Sequence, residues 1–357
     1  MTDPLHLAVA LDGYGWHPQA WRSVGPGVPS VLSGRYWAEL ARTAERGLLD
    51  FLTIDDTLMP QPGRRERIDP HRLAGRADAV LVAARIAPAT RHIGLVPVAN
   101  VTHTEPFHIS KAVATLDYVS HGRAGWQPRV SVTSHEAALF GRRDASQIPL
   151  FEEAVEYVDV VRRLWDSWED DAVIRDVRSG RYIDVDKLHY IDFAGKYFSV
   201  KGPSITPRPP QGQPVVAVLA HAGPVYEFAA ATADVVFVTP TDEGSLREIL
   251  EQVRGLKVFA DVVVSFGGDA DFRSDCLVIS TTATQLVDML LEWQRLGIDG
   301  ARLRPAVNAT DLPVIVDEVV PLLQRAGRFR TEYRDGETLR ARLGLPVAAN
   351  RYEAVSR

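Results

Sequence analysis

Short, unbroken apolar runs alternate along this chain with longer stretches in which apolar residues recur every three or four positions. Residues 93–99, IGLVPVA, are too few for an ordinary helix and too continuously apolar for a strand wet on one face, so they predict a strand buried on both sides. A helix should follow from the Thr104, Glu105, Pro106 start, because Ile109, Val113, Leu116 and Val119 keep helical spacing until Gly122 stops the run. The next strand, 124–132, begins about thirty residues after the first, the length of one strand, helix, strand unit of a parallel sheet.

The same alternation runs through the rest. A strand at 5–11 precedes a long loop rich in Gly, Pro and aromatics, DGYGWHPQAWRSVGPGVPS; a helix at 36–46 closes on Gly47, and a strand at 49–54 ends in Asp55 and Asp56. A polar segment, QPGRRERIDP, leads to a helix at 73–87, and beyond Ser134 a helix at 150–168 sets Val155, Val158, Val161, Leu164 and Trp165 on one face. Residues 170–213 leave the pattern: short extended pieces at 181–185 and 197–200, then PSITPRPPQGQP, read as an insertion packed over the main body. Strands at 215–219, 235–238, 258–266 and 301–303 then alternate with helices at 225–232, 245–255, 283–296 and 312–326. About eight strands alternating with helices predict an α/β fold, a closed (β/α)8 TIM barrel. It forms one domain over residues 1–357, with the insertion at about 170–213 and a C-terminal tail at about 327–357.

Composition narrows the function. The 357 residues and 46% apolar content suit one large barrel, and a net charge of -6 gives no basic footprint, so neither nucleic acid nor membrane is expected as a partner. A single cysteine, Cys276, excludes an internal disulfide and a Cys-based metal cluster; it reads as a packed small side chain in a reducing, cytoplasmic setting. The start, MTDPLHLAVALDG, has no basic leader region, and no apolar run approaches the roughly twenty residues a bilayer requires, so the whole chain is expected to be the mature, soluble protein. No GxGxxG follows the first strand, and GxxxxGK[ST], HExxH and GxSxG are absent; His103 and His108, five apart, share no helix face, so no metal site is expected.

In a parallel barrel, ligands sit beyond the carboxyl ends of the strands. That rule singles out Asn100, Thr102 and His103, the segment 126–134, the Asp55 and Asp56 pair, and Trp16, His17 and Trp21 in the first long loop. Each has a structural alternative: the two aspartates cap the following turn, Asn100 and Thr102 satisfy backbone groups, and His103 is a core aromatic rather than a pocket acid or base.

Several pieces carry a specific resemblance: AWR at 20–22, YWAELARTAERGLLDFLTIDDTL at 36–58, SKAVATLDYVSHGRAGW at 110–126, VTS at 132–134, LWDSWEDDA at 164–172, and the closing segment at 317–351. Together they resemble the bacterial luciferase-like flavin monooxygenases, in the group that holds nitrilotriacetate monooxygenase, dibenzothiophene sulfone monooxygenase and pristinamycin synthase. The resemblance implies a barrel that takes reduced FMN from a separate flavin reductase and uses O2 to oxygenate a small organic substrate, as a homodimer or homotetramer. It places Asp56 near the flavin ring, Asn100 and Thr102 facing the isoalloxazine with His103 in place of an aromatic residue, and Gln127 where the family carries Asn, next to flavin and oxygen. His17 and Trp21, with Trp16 beside them, fall where substrate and flavin meet. His221, Ala222 and Gly223 fall at the phosphate, with Ala222 at a position that is serine in relatives, and SQIPLFEEA puts Ile148, Leu150 and Phe151 where relatives carry His and Tyr.

Two lost charge-assisted hydrogen bonds, at roughly 1.5–3 kcal/mol each, would weaken FMN binding by about a hundredfold or more. His221, Arg142 and Arg143 are the groups left to compensate. The resemblance leaves two alternatives: a flavin or deazaflavin enzyme of hydride transfer, and a flavin-free barrel that pairs with a catalytic homologue as its non-catalytic partner.

Overall fold

Nine parallel strands form the main sheet of the computed structural model, which describes residues 4–59, 69–144, 148–268 and 270–352. In chain order the first half gives β1 (His6–Leu11), α1 (Gly34–Arg46), β2 (Phe51–Ile54), α2 (Ala79–Ile86), β3 (Gly94–Asn100), α3 (Pro106–Val119) and β4 (Gly125–Arg129). After α4 (Ser134–Phe140) and α5 (Leu150–Asp166) come two small hairpins, β5 (Val173–Asp176) with β6 (Arg181–Ile183) and β7 (Phe193–Ala194) with β8 (Ser199–Val200). The second half gives β9 (Val215–Ala220), α6 (Gly223–Thr232), β10 (Val235–Val238), α7 (Glu243–Gln252), β11 (Lys257–Ser265), β12 (Leu277–Ser280), α8 (Ala283–Leu296) and β13 (Gly300–Pro305). The helices α9 (Asn308–Val314), α10 (Val320–Arg325) and α11 (Leu339–Arg342) complete it.

The strand order is β10, β9, β4, β3, β2, β1, β13, β11, and a β10 to β11 pairing closes the ring, so eight of the nine strands make the expected (β/α)8 barrel. The ninth, β12, pairs with β11 only from Val262 upward, where β10 has already ended at Val238 opposite Ala260, and extends the wall above it.

Alternation along the strands sorts the core into two parts. Val216, Val218, Val236 and Val238 face the helices, while Val215, Ala217, Val235 and Phe237 face the lumen. At the amino ends of the strands the lumen is filled by Phe51, Phe237 and Phe259, and Leu339 and Leu343 from the C-terminal segment close it from below. That segment is held by backbone contacts: Leu339 N donates to Gly122 O at 2.9 Å, and Arg342 Nη1 to His92 O at 2.7 Å. Because the lower end is sealed, the barrel opens only at the carboxyl ends of its strands.

Much of the sequence that carries the family resemblance holds this frame together. Asp117 accepts from Ala124 N at 3.0 Å and from both Gln211 N and Gln211 Nε2, and burial lifts its carboxyl to about 6. Arg123 donates to Ala87 O, Ile93 O and Thr90 Oγ1, and Trp165 Nε1 to Ser110 O at 2.9 Å. In the 170–213 segment, the β7–β8 hairpin docks on α5, where the Glu156 carboxylate accepts the backbone N–H groups of Lys196, Tyr197 and Phe198.

Several boundaries differ from the periodic reading. The helix expected at 73–87 begins only at Ala79, because Asp78 caps it through Leu81 N at 2.8 Å; residues 73–78 run as a loop along the barrel mouth. The helix expected at 312–326 starts at Asn308, and Pro313 is followed by a wider π turn over Ile315–Val319. The strand expected at 124–132 ends at Arg129, and β5 and β12 have no counterpart among the expected strands. Most of QPGRRERIDP lies outside the described residues. Among the described residues, no helix is long and apolar enough to cross a membrane.

Truncating the plug tests its part in stability. Leu339→Ala should cost about 2–5 kcal/mol in urea unfolding, the range for a large apolar side chain deleted from a closed core. A loss below about 1 kcal/mol would mean that the lower lumen closes without it.

Candidate functional site

A cleft of about 1010 Å³ opens at the carboxyl ends of the strands. One wall is apolar: Val218 and Leu219 of β9, Val225 and Phe228 of α6, and Phe151 of α5. The opposite wall is the loop after β1, with Gly15, Trp16 and His17, together with Leu73 and Arg76 from the 69–78 loop. Gly15 lets this loop pass hard against β13: a Cβ there would come within 2.2 Å of Ala306 O, and Trp16 N and His17 N donate to Pro305 O and Ala306 O.

Two charge clusters organise the cleft. At its lip, Arg76 bridges Asp55 at 2.6 Å and Asp12 at 3.0 Å, and Arg129 reaches Asp55 at 3.3 Å and the Asp56 carbonyl at 2.9 Å. Burial raises the Asp12 carboxyl to about 6, more than Arg76 lowers it, and the neighbouring Asp55 adds to the rise. The second cluster lies at the floor. Arg302 grips the Asp261 carboxylate through Nε and Nη2 at 2.9 and 2.6 Å, and its Nη1 donates to Gln127 Oε1 at 2.9 Å. Arg304, one inward position further along β13, bonds the same carboxylate and reaches Asp275 at 2.6 Å. Burial alone would raise the Asp261 carboxyl, but the two guanidiniums outweigh it and hold its pKa below the usual range. Arg302 stacks over Phe237 at 4.0 Å, and Arg304 over Trp16 at 4.2 Å.

The structure brings some of the expected residues to the cleft and turns others away. Trp16, His17, Gln127 and His221 line it. His17 accepts from Gln19 N through Nδ1 and sets its ring edge-on to Phe272 at 4.7 Å. His221 has its imidazolium disfavoured by the protein around it. Trp21 is outside the lining, its Nε1 donating to His71 O at 3.0 Å. Ala222 and Gly223 are exposed at the start of α6 next to His221, where Ala222 caps the helix with no side-chain bond and a Cβ on Gly223 would meet nothing within 4 Å.

Strand parity separates the two aspartates: Asp55 faces the cleft, whereas Asp56 turns outward and accepts Ala79 N at 3.0 Å at the start of α2. Asn100 Oδ1 accepts from Thr102 N and His103 N in its own turn, and Thr102 Oγ1 accepts from Ser131 N after β4 at 2.8 Å, so both oxygens serve backbone groups. His103 stacks on Phe140 at 4.8 Å, buried, with Nε2 lacking a partner and burial lowering its pKa. Arg143 is bound to the buried Glu153 at 2.5 Å and Arg142 reaches Glu105, so neither stands at the cleft to replace a phosphate ligand.

Sequence reasoning missed Asp12, Arg76, Arg129, Asp261, Arg302 and Arg304. The available indication was a carboxylate inside the apolar run VFADVVVSF, and two arginines two positions apart in the strand GARLRP: charges on a strand buried on both faces require partners. Burial lifts the Cys276 thiol to about 12, which keeps it protonated. Among the described residues no group of three or more His, Cys, Asp or Glu is placed to hold a metal ion.

The cleft suits a flavin by two observations. Its apolar wall offers a flat ring a dry surface. At the end of that wall stand His221 and the Gly223 N–H at the start of α6, two donors for an anion; Pro224 has no N–H, and Val225 N and Tyr226 N already donate to Ala222 O.

Comparison with known proteins agrees with this geometry. A family model described as luciferase-like monooxygenase matches residues 16–261. The N-acetyl-S-(2-succino)cysteine monooxygenase of Bacillus subtilis (strain 168) is 30% identical, with 98% of each chain covered. Nitrilotriacetate monooxygenase component A of Aminobacter aminovorans is 30% identical over 97% of each chain. Among solved structures, EDTA monooxygenase from Chelativorans sp. BNC1 shares the fold with a TM-score of 0.84, at 22% identity over 96% of this chain and 99% of that one.

The lip cluster makes a pH-dependent prediction. A carboxyl whose pKa rises on folding favours the folded state below its unfolded value and opposes it as pH climbs through the folded value. With Asp12 at about 6, Asp12→Asn should gain Tm relative to the native protein as pH rises from about 4 to about 7. A Tm difference that is constant or shrinks over that window would contradict the assignment.

Proposed function

The chain belongs to the luciferase-like monooxygenase family, and from that premise we propose that it is the oxygenating component of a two-component FMN-dependent system acting on a small organic substrate. A separate flavin reductase would deliver reduced FMN, in the cytoplasm, to a homodimer or homotetramer of this chain. The observation that carries the reading is the cleft itself: it lies at the carboxyl end of a closed barrel, with one dry wall and donors at its far end.

Bound reduced FMN supplies the electrons that activate O2, so that one oxygen atom enters the substrate and the other leaves as water. The residues of this chain bind, orient and shield. Leu219, Phe151 and Phe228 would hold the ring, and His221 with the Gly223 N–H at the start of α6 its phosphate. Gln127, which lines the cleft and is held by Arg302, would meet the ring. The loop that carries Trp16 and His17 forms the wall opposite the apolar one and would limit water, which matters because activated oxygen exposed to solvent is lost without substrate turnover. Asp12, poised at about 6, can hold or release a proton at the lip near neutral pH.

The missing serine hydroxyl at Ala222 favours a second outcome, a barrel that prefers another flavin or none. Anaerobic titration with reduced FMN, oxidised FMN and a deazaflavin separates these. Micromolar binding of reduced FMN supports the reading; deazaflavin preference points to hydride transfer; no binding at millimolar flavin overturns it. Leu219→Trp, which narrows the apolar wall, should weaken FMN at least about tenfold while leaving the far-ultraviolet circular dichroism unchanged.

A further inference from the structure

Gln127 lies on the cleft floor, 5% exposed, with its Oε1 accepting from Arg302 Nη1 at 2.9 Å. A guanidinium has donors and no acceptor, so this contact permits one orientation of the amide: oxygen toward Arg302, nitrogen away from it. Arg302 has little freedom of its own. It is held by Asp261 at 2.9 and 2.6 Å, it lies over Phe237, and it is 2% exposed beside a carboxylate with 0% exposure. Arg304 bonds Asp261 from the cleft side and stands between this pair and Trp16. The Gln127 Nε2 has no acceptor among the described residues, and it is not sealed from solvent, so its N–H groups are open to the cleft.

An unrestrained amide in a ligand site can turn over and offer either its oxygen or its nitrogen. Here it cannot, because turning it would set an NH2 against a buried guanidinium. We propose that Arg302 is a positioning residue that locks Gln127 as a hydrogen-bond donor toward the cleft, and thereby selects ligands that present an acceptor at the floor. The acceptor is a carbonyl oxygen or an imine nitrogen, of the flavin ring or of the substrate; naming FMN as the probe rests on the flavin reading above. A ligand with an N–H or O–H at that point would leave two donors facing each other in a water-poor site and be rejected.

Two variants and one background test the lock. Gln127→Glu keeps the shape, pairs a carboxylate with Arg302 and puts oxygen where the N–H groups were. FMN affinity should fall at least about tenfold in fluorescence titration. The variant's Tm relative to the native protein should rise from about pH 2 to about pH 5, because a carboxylate paired with Arg302 has a folded pKa below its unfolded value of about 4.3, and its stabilisation is lost on acidification through that window. Arg302→Lys keeps a cation beside Asp261 without the fork that reaches Gln127. It should weaken FMN by about tenfold in the native background and change nothing further in Gln127→Leu, where there is no amide to orient. Equal losses in both backgrounds would show a purely structural role and overturn the proposal. Native-like FMN binding by Gln127→Glu, or a Tm difference flat with pH, would also overturn it while leaving the flavin reading intact. If the native protein fails to bind FMN but the pH-dependent gain of Gln127→Glu appears, the flavin reading falls and the lock stands.

Discussion

The buried contact between Arg302, Arg304 and Asp261 sets the conditions for everything above it in the barrel. One carboxylate answers two guanidiniums at a level where all three side chains are almost wholly excluded from water. Such a group is stable only with every partner in place, since removing one member of a buried pair typically costs about 3–5 kcal/mol. The second positive charge is met by Asp275, from the loop ahead of β12, and the faces of Phe237 and Trp16 cover both guanidiniums. The cluster therefore ties β11, β13, β4 and two mouth loops to one point. Below it the lumen is hydrocarbon closed by Leu339 and Leu343; above it lies the cleft.

The lip cluster does similar work on the other side. Asp12 follows β1, Asp55 follows β2 and Arg129 ends β4, while Arg76 comes from the loop that the periodic pattern assigns to a helix. That loop is pinned by charge at one point and by the Asp56 and Asp78 caps at the start of α2. The mouth is thus organised by ion pairs attached to rigid strand ends, and the apolar wall of β9 and α6 supplies the dry surface between them. Strand ends give precise positions, and loops give access, which is how this architecture hosts chemistry.

The barrel was legible because its strands are buried on both faces and its helices on one, so the two periods separate cleanly. The site was less so. Parity decides between Asp55 and Asp56, and one residue of register moves a carboxylate from the cleft to a helix cap. Asn100 ends β3 and Thr102 follows it at the mouth, yet the Asn100 oxygen is occupied by the turn that follows and the Thr102 hydroxyl by Ser131 N after β4. Trp126 adjoins Gln127 in sequence but faces the opposite way, into the helix layer against Trp165. The charges of β11 and β13 were visible as misfits in apolar strands, but their pairing spans 41 positions and needs the closed ring to be seen. The stretch that most clearly marks the family, LDYVSHGRAGW, supplies frame contacts through Asp117 and Arg123, so recognising it identified the scaffold better than the chemistry.

The central claim is that a donor-lined floor, fixed from beneath by buried charge, receives a flavin at the mouth of the barrel. A crystal structure of the protein soaked with riboflavin phosphate tests it most directly. The account predicts a ring against Leu219, Phe151 and Phe228, with an acceptor atom within hydrogen-bond reach of Gln127 Nε2 and the Arg302 to Asp261 pairing undisturbed. A flavin bound elsewhere on the molecule, or one seated in the cleft with Arg302 drawn away from Asp261 to meet it, would contradict it.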